Sequence, residues 1–308
     1  MTQLNVKLPI GGRYKLQVRK GDRVKQESGW SNNLVTNNGM NIITATNWQR
    51  YCQVGSGSTT PAFTDVGLVA KIADAQTTGG FSSTIDTDNR YLVGQKTYSF
   101  LAGAAAGNIS EVGIGGSATG NLFSRALVLD SGGSPTSITV LSDEDLIVIY
   151  EFWIKQPTAD FTDTVSGNNI TIRACRVDST DNDSIQFRSS WKMNGSSDYV
   201  FALIQSNGEA SAFDGGISTI TGFPSGTRSG ITTAGGGIVT DDYVNDSHER
   251  TGVFTFSTAQ ANFDIKSFVW GFGPTCWQME LETALTKTSV QTFKLGVKLT
   301  WSRDSGPA

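Results

Sequence analysis

Between positions 146 and 154 the chain reads LIVIYEFWI, and only Glu151 in it is charged. A run of this kind cannot face water on both sides, so it reads as a strand in the middle of a sheet, its apolar residues buried on both faces. Val, Ile, Tyr, Phe and Trp favour the pleated conformation because bulk close to the backbone packs well on a sheet. The run closes a stretch, 108–155, in which strand-like segments follow one another closely. Ile109, Val112 and Ile114 mark the first, 122–129 the second and 138–140 a short third. Gly115-Gly116, Gly120-Asn121 and Ser131-Gly132-Gly133-Ser134-Pro135 punctuate them as turns. The stretch reads as a β-meander, with a further strand at 90–101 pairing with 108–114 across 102–107.

Composition extends this reading to the whole chain. Glycine supplies 35 of 308 residues, well above the usual share of about 7%, and strong helix formers are scarce. Leu4, Val6 and Leu8 alternate with Asn5 and Lys7, and Tyr14, Leu16 and Val18 with Lys15 and Gln17. With Gly11-Gly12 between them, the two segments read as a hairpin with one apolar face. Segment 37–51 is the clearest helix candidate, with Met40, Ile43, Trp48 and Tyr51 near one face and Asn37 or Asn38 as its cap. Strand patterns resume at 170–177, 185–193, 199–204, 252–257, 265–272, 276–282 and 290–301, after a polar stretch, 156–166, that contains Pro157. The expected fold is all-β: an antiparallel β-sandwich or meander-rich sheets with one short helix. The expected division is a basic hairpin or arm at 1–28, a first β-domain with the helix at 29–155, and a second β-domain at 156–308 whose last strands can pack on the first.

Little in the chain points to reaction chemistry. Cys52, Cys175 and Cys276 are far apart in sequence and form no metal-ligand spacing, so they read as buried reduced thiols. His248 is the single histidine and sits in a polar, loop-like setting. The Gly-Ser-Gly run after Val54 has no Gly-Lys-Ser/Thr behind it, and Gly113-x-Gly115-Gly116 is followed by a strand rather than a helix, which excludes a dinucleotide fingerprint. Asp178, Asp181 and Asp183 depart from calcium-loop spacing and read as a solvated turn. Asp241 and Asp242, adjacent on a strand, point to opposite faces and are poor partners for glycoside hydrolysis. No catalytic residue, cofactor or metal is expected.

Charge is distributed unevenly. The formal net charge is −4, too small to argue for nucleic acid or membrane partners, and no apolar run reaches the roughly 18 residues of a membrane span. The start of the chain has no apolar signal-peptide core, which predicts synthesis in the cytoplasm. Residues 1–25 nevertheless carry Lys7, Arg13, Lys15, Arg19, Lys20, Arg23 and Lys25 against Asp22 alone. That asymmetry predicts a basic hairpin that docks on an acidic neighbour, with Leu4, Val6, Leu8, Tyr14, Leu16 and Val18 as the face buried there.

Several spaced residues resemble a group of tailed-bacteriophage virion proteins described as tail, fibre or collar components. They are Trp30-x-x-Asn33-x-x-Thr36-x-x-Gly39, Tyr51-Cys52-x-Val54-Gly55-x-Gly57-x-x-x-Pro61, Ile109-Ser110-Glu111-Val112-Gly113, Leu141-Ser142-Asp143-Glu144-Asp145-Leu146, Tyr150-Glu151, Lys287-Thr288 and Leu299-Thr300-Trp301-Ser302-Arg303. The likeness covers most of 30–155 and 262–303. It implies a non-enzymatic structural part of a virion in the tail, collar or baseplate region, made in the host cytoplasm and multimeric with itself and other virion proteins. It carries over no catalytic residue. Two alternatives are a receptor- or glycan-binding tail-fibre protein and a capsid decoration protein. A host surface glycan would stack on Trp191, Tyr199, Phe223, Tyr243, Trp270 or Trp277. A polysaccharide-degrading enzyme would need facing carboxylates drawn from Glu209, Asp214, Glu249 and Asp264.

Overall fold

The computed structural model describes residues 3–77, 79–86, 91–165, 167–175, 199–204, 228–232, 237–272 and 275–306. The chain is all-β, 58% strand and 3% helix, in antiparallel sheets. Its residues divide into two units: Met1–Leu8 with Gln156–Thr300, and Pro9–Lys155 with Trp301–Ala308. The first eight residues thus group with the second half of the chain, and the last eight with the first half.

The unit built on Pro9–Lys155 contains two sheets. In one, β1 (Gln3–Lys20) carries β2 (Arg23–Glu27) and β3 (Ser31–Asn32) along one side. The other sheet contains β4 (Leu34–Val35), β5 (Tyr51–Gly55) and β6 (Lys71–Gln76). The first sheet is completed by β7 (Ser82–Asp86) and β8 (Tyr91–Phe100), and a separate ribbon begins with β9 (Gly107–Ile109). β10 (Glu111–Gly115) and β11 (Leu122–Leu127) complete the second sheet in the order β4-β11-β10-β5-β6. β12 (Ile138–Val140) pairs with β9, and β13 (Asp145–Lys155) lies between β1 and β8. The expected meander is therefore corrected. β8 pairs with β7 and β13, not with 108–114, because the apolar length of β13 needs two long neighbours to satisfy its backbone.

The expected hairpin at 4–18 is also corrected: it is one strand. Leu4, Val6, Leu8, Ile10, Tyr14, Leu16 and Val18 all lie on the buried side of β1. Gly11 and Gly12 are there for close approach, not for a turn. A Cβ on Gly11 would come within 2.7 Å of the Trp153 indole nitrogen, and one on Gly12 within 2.9 Å of the Tyr150 ring. The same fact removes the apolar face assigned to a docking partner, since the chain's own core already covers it. There is no separate arm either, because residues 9–28 belong to the first-half unit.

Aromatic side chains fill the space between this unit's sheets. Trp48 lies 4.3 Å from Phe123 and 5.0 Å from Phe152, and Tyr14 stacks on Tyr150 at 5.0 Å. Each fully buried ring of this size is worth about 2–3 kcal/mol. The helix α1 is Asn37–Ile42, six residues, shorter than the expected 37–51. Thr36, not Asn37 or Asn38, caps it, accepting from the Gly39 N–H at 2.8 Å. Past Ile43 the chain turns, so that Trp48 enters the core and Tyr51 starts β5. β13 alternates over its first part, with Ile147 and Ile149 half-buried between buried Val148 and Tyr150, and is buried on both faces at its end, where Phe152, Trp153 and Ile154 are all inside.

The other unit holds a six-stranded sheet. Its strands are β14 (Phe161–Val165), β15 (Asn168–Cys175), β16 (Tyr199–Ile204) and β17 (Arg228–Thr232), with β20 (Asp264–Phe272) and β21 (Thr275–Thr286). The order is β14-β15-β21-β20-β16-β17. Beside these, β18 (Ile238–Thr240), β19 (Glu249–Phe256) and β22 (Phe293–Arg303) pair in that order, with the start of β1 next to β22. Phe256, Phe268 and Phe293 pack together at 5.4 to 6.2 Å. The register sets Cys175 opposite Cys276.

Candidate functional site

Four residues singled out in the sequence, Gly55, Gly57, Ser110 and Glu111, come together around one buried carboxylate, that of Glu111. Glu111 stands on β10 opposite Gly55 of β5 and Leu127 of β11, and Arg125 of β11 stands opposite Gly113. Both side chains are fully buried. The Glu111 carboxylate accepts from the backbone N–H of Gly57 at 3.0 Å, Val69 at 3.1 Å and Ala70 at 2.7 Å. It also takes Nε and Nη2 of Arg125 at 2.9 and 2.8 Å. The guanidinium continues outward, with Nη1 donating to Asp65 Oδ2 at 2.8 Å and Nη2 to the Thr59 carbonyl at 2.9 Å. Nε and Nη2 of Arg125 both meet the one oxygen, Oε2 of Glu111, in a charge-assisted contact stronger than a neutral hydrogen bond.

The centre fastens segment 56–70 across the sheet. Gly55 and Gly57 make room for it: a Cβ on Gly55 would sit 2.8 Å from Glu111 Oε1, and one on Gly57 would overlap that oxygen. Ser110 Oγ ties the Gly57 carbonyl at 2.9 Å. The spaced glycines, Ser110 and Glu111 therefore form one backbone clamp. Four hydrogen bonds and the Arg125 ion pair thus hold the two carboxylate oxygens in place.

Other motif residues are used in the same internal way. Thr36 Oγ1 donates to the Leu122 carbonyl at 2.7 Å while capping α1. Glu144 accepts from the Leu141 N–H at 3.0 Å, turning the chain into β13. Trp301 Nε1 donates to the Met40 carbonyl at 2.8 Å, and Arg303 Nε to the Val35 carbonyl at 2.6 Å. Tyr14 and Ser124 share a hydrogen bond in the core. Desolvation raises the pKa of Tyr14, Tyr98 and Tyr150, keeping these phenols protonated, and burial raises that of the Cys52 thiol, keeping it unreactive.

The seven basic residues of the predicted docking element divide by partner. Arg13 pairs with Glu151 at 2.6 Å and lies over the Trp30 ring at 4.4 Å. Lys15 pairs with Glu27, and Lys20 with Asp143 at 2.5 Å. The hydrogen bonds from Lys15 and Lys20 lower the pKa of Glu27 and Asp143 respectively. Arg19 Nη2 donates to Gln17 at 2.7 Å, and its buried Nε has no hydrogen-bond partner among the described residues. Lys7, Arg23 and Lys25 are exposed, and no ion pair holds them among the described residues.

The glycan-stacking expectation is corrected for two of its residues. Trp270 and Trp277 are fully buried and stack on each other at 5.7 Å, because they occupy facing positions on the core side of β20 and β21. Tyr243 is half-buried, and Tyr199 lies in β16. Trp191, Phe223, Glu209, Asp214, Asp178, Asp181 and Asp183 lie outside the described residues. Of the remaining carboxylates, Glu249 pairs with Lys298 at 2.6 Å and Asp264 accepts from Thr286 at 2.5 Å. His248 sits in the 241–248 loop with a left-handed φ of 50°. Among the described residues no group of three or more His, Cys, Asp or Glu side chains could hold a metal ion.

Sequence reasoning missed Arg125, Asp65 and Lys96. The signal for the first was present: Glu111 and Arg125 are charges placed inside two apolar strands joined by a short turn. Lys96 is 6% exposed, with its ammonium 5.4 Å over the Phe81 ring, and desolvation lowers its pKa to about 8. Comparison with protein-family models, curated proteins and solved structures finds no match to this chain.

Proposed function

We propose that the protein is a non-enzymatic structural component of a tailed-bacteriophage virion, in its tail, collar or baseplate region, where several copies assemble with other virion proteins. The likeness to tail, fibre and collar proteins is what carries this reading. The observation that supports it is where the shared residues lie: Gly55, Gly57, Ser110 and Glu111 form the clamp on 56–70, while Thr36, Glu144, Trp301 and Arg303 tie backbone elsewhere in the same unit. Such residues serve a rigid framework, which is what a part that must keep its shape under load needs.

The test is direct. Particles produced with all virion genes, this chain among them, are purified and probed with gold-labelled antibody to it. The proposal expects label at one fixed place on the tail, collar or baseplate. Label spread over the head would favour a decoration protein, and absence from washed particles would end the virion reading.

A further inference from the structure

Among the described residues, two sheet edges carry exposed charge of opposite sign that no ion pair holds. One is β2, whose five residues, Arg23–Glu27, are all exposed. Its inner side pairs with β1, and no strand pairs with its outer side among the described residues. Arg23 and Lys25 flank Val24, which is 42% exposed. The neighbouring cations Lys15 and Lys20 pair with carboxylates within the chain, whereas no ion pair holds Arg23 or Lys25 among the described residues, Lys25 acting on Asp143 only at longer range. Arg19, opposite Val24 in the ladder, keeps a buried Nε without an acceptor among the described residues.

The other edge is β18, the last strand beyond β19. Val239 on it is 62% exposed. Asp241 and Asp242 follow, both exposed; the Asp241 N–H donates to the Thr251 carbonyl at 3.0 Å, so Asp241 extends the ladder one residue past β18, and Asp242 begins the loop beyond it. No ion pair holds either of them among the described residues. Two of the other edges carry internal contacts instead: Lys71 on β6 pairs with Asp74 at 2.6 Å, and Arg303 donates to the Val35 carbonyl of β4 at 2.6 Å. An edge strand left open is a template for another chain unless charge blocks it. A lysine and an arginine on one edge block like pairing with like, but they favour an edge that carries aspartates.

We propose that β2 of one copy adds to the β18 edge of a second copy, Arg23 and Lys25 of the first meeting Asp241 and Asp242 of the second. The contact is heterologous, so it joins copies head to tail, as rings and tubes require. This rests on the reading of the protein as a multimeric virion part. Three to five paired residues bury well under the roughly 1,200 Å² of a stable standard interface, so a single contact is weak and gains strength when several close together.

Charge reversal with the full chain tests it. One variant carries Arg23→Glu and Lys25→Glu, the other Asp241→Lys and Asp242→Lys; circular dichroism and thermal melting check that both fold. Sedimentation at about 0.05 M salt should show the parent self-associating, and at about 1 M salt, where the Debye length falls to about 3 Å, dissociating. Each variant alone should associate at least about 100-fold more weakly, because like charges then face each other. Mixed in equal amounts the two variants should recover association, since each supplies the edge the other lacks. Carbodiimide coupling of a mixture of isotope-labelled and unlabelled parent should join Lys25 of one copy to Asp241 or Asp242 of another. A parent that stays monomeric, an aspartate variant that associates like the parent, or a mixture that stays monomeric overturns the proposal. Gold label on particles together with any of these outcomes would retain the virion reading while rejecting this contact.

Discussion

Arg125 and Glu111 approach to 2.8 Å, and Lys20 and Asp143 to 2.5 Å. By distance alone the surface pair is the stronger. Their surroundings reverse that order. The first two side chains are fully buried, while those of Lys20 and Asp143 are 58% and 57% exposed. Inside, each charge has been taken from water and depends on its partner; outside, water and salt replace the partner at almost no cost. Position in the fold, not separation, decides what an ion pair is worth here.

The largest effect should come from breaking the inner pair. Glu111→Ala leaves the buried Arg125 charge with Asp65 and the Thr59 carbonyl as its remaining partners and leaves the N–H groups of Gly57, Val69 and Ala70 without their acceptor. Removing one member of a buried pair costs about 3–5 kcal/mol, a large share of a typical domain's stability. Urea denaturation should show a correspondingly lower midpoint. The double change Glu111→Leu with Arg125→Met should recover only part of the loss, since the three amides stay unpaired. An unchanged midpoint in the single variant would mean that the comparison between inner and outer pairs is wrong.

Thr36→Ala tests an interior polar group that carries no charge. It removes both the cap on Gly39 and the donor to Leu122. Caps of this type are worth about 1 kcal/mol, up to about 2. Thermal melting should fall by that measure, and Thr36→Ser, which keeps the oxygen, should restore most of it.

β1 is legible in the sequence along its whole length, as one strand rather than a hairpin. Apolar residues fall on even positions from Leu4 to Val18 without a break, through the two glycines. A two-residue turn at Gly11-Gly12 would set Leu8 opposite Lys15 on one face, which the pattern forbids. Glu111 and Arg125 were legible as misplaced charges in apolar strands. What the sequence did not reveal was partnership over distance. Nothing local tells β13 to choose β1 and β8, because strand choice is settled by which long apolar rows fit each other once the sheets form. Trp270 and Trp277 were ambiguous for a related reason. A tryptophan on a strand reads the same whether it faces a core or a sugar, and only the neighbouring sheet decides.

Lys96 sharpens the comparison from the other side, as a buried charge that no ion pair holds among the described residues. Its pKa is about 8 in the fold, against roughly 10.4 in an open chain. Below pH 8 the group is charged in both states, and the folded state bears the whole desolvation cost. As pH rises from 8 toward 10.4, the folded state sheds its proton first and the cost is relieved. Lys96→Met, which keeps the chain length over Phe81, should therefore stabilise the protein at pH 7 by on the order of 1 kcal/mol. The advantage should shrink through pH 8 to 10 in paired melts of variant and parent. A constant advantage across that range would point to packing rather than charge.

The smallest effect belongs to Lys20 and Asp143. The hydrogen bond raises the pKa of the lysine and lowers that of the aspartate, so any contribution is present at neutral pH, fading below the carboxylate range and above the lysine range. Both groups are open to solvent, and the ordering of two long side chains opposes the attraction. A double-mutant cycle with Lys20→Gln and Asp143→Asn isolates the coupling, because loss of packing or of net charge cancels between its corners. We expect the double-variant midpoint to equal the value expected from adding the two single effects, within measurement error, in low salt and in high. A coupling that survives in about 1 M salt, where exposed charges are screened within about 3 Å, would show that this end of β1 is shielded from water in solution, and the contrast with Glu111 and Arg125 would then be one of degree.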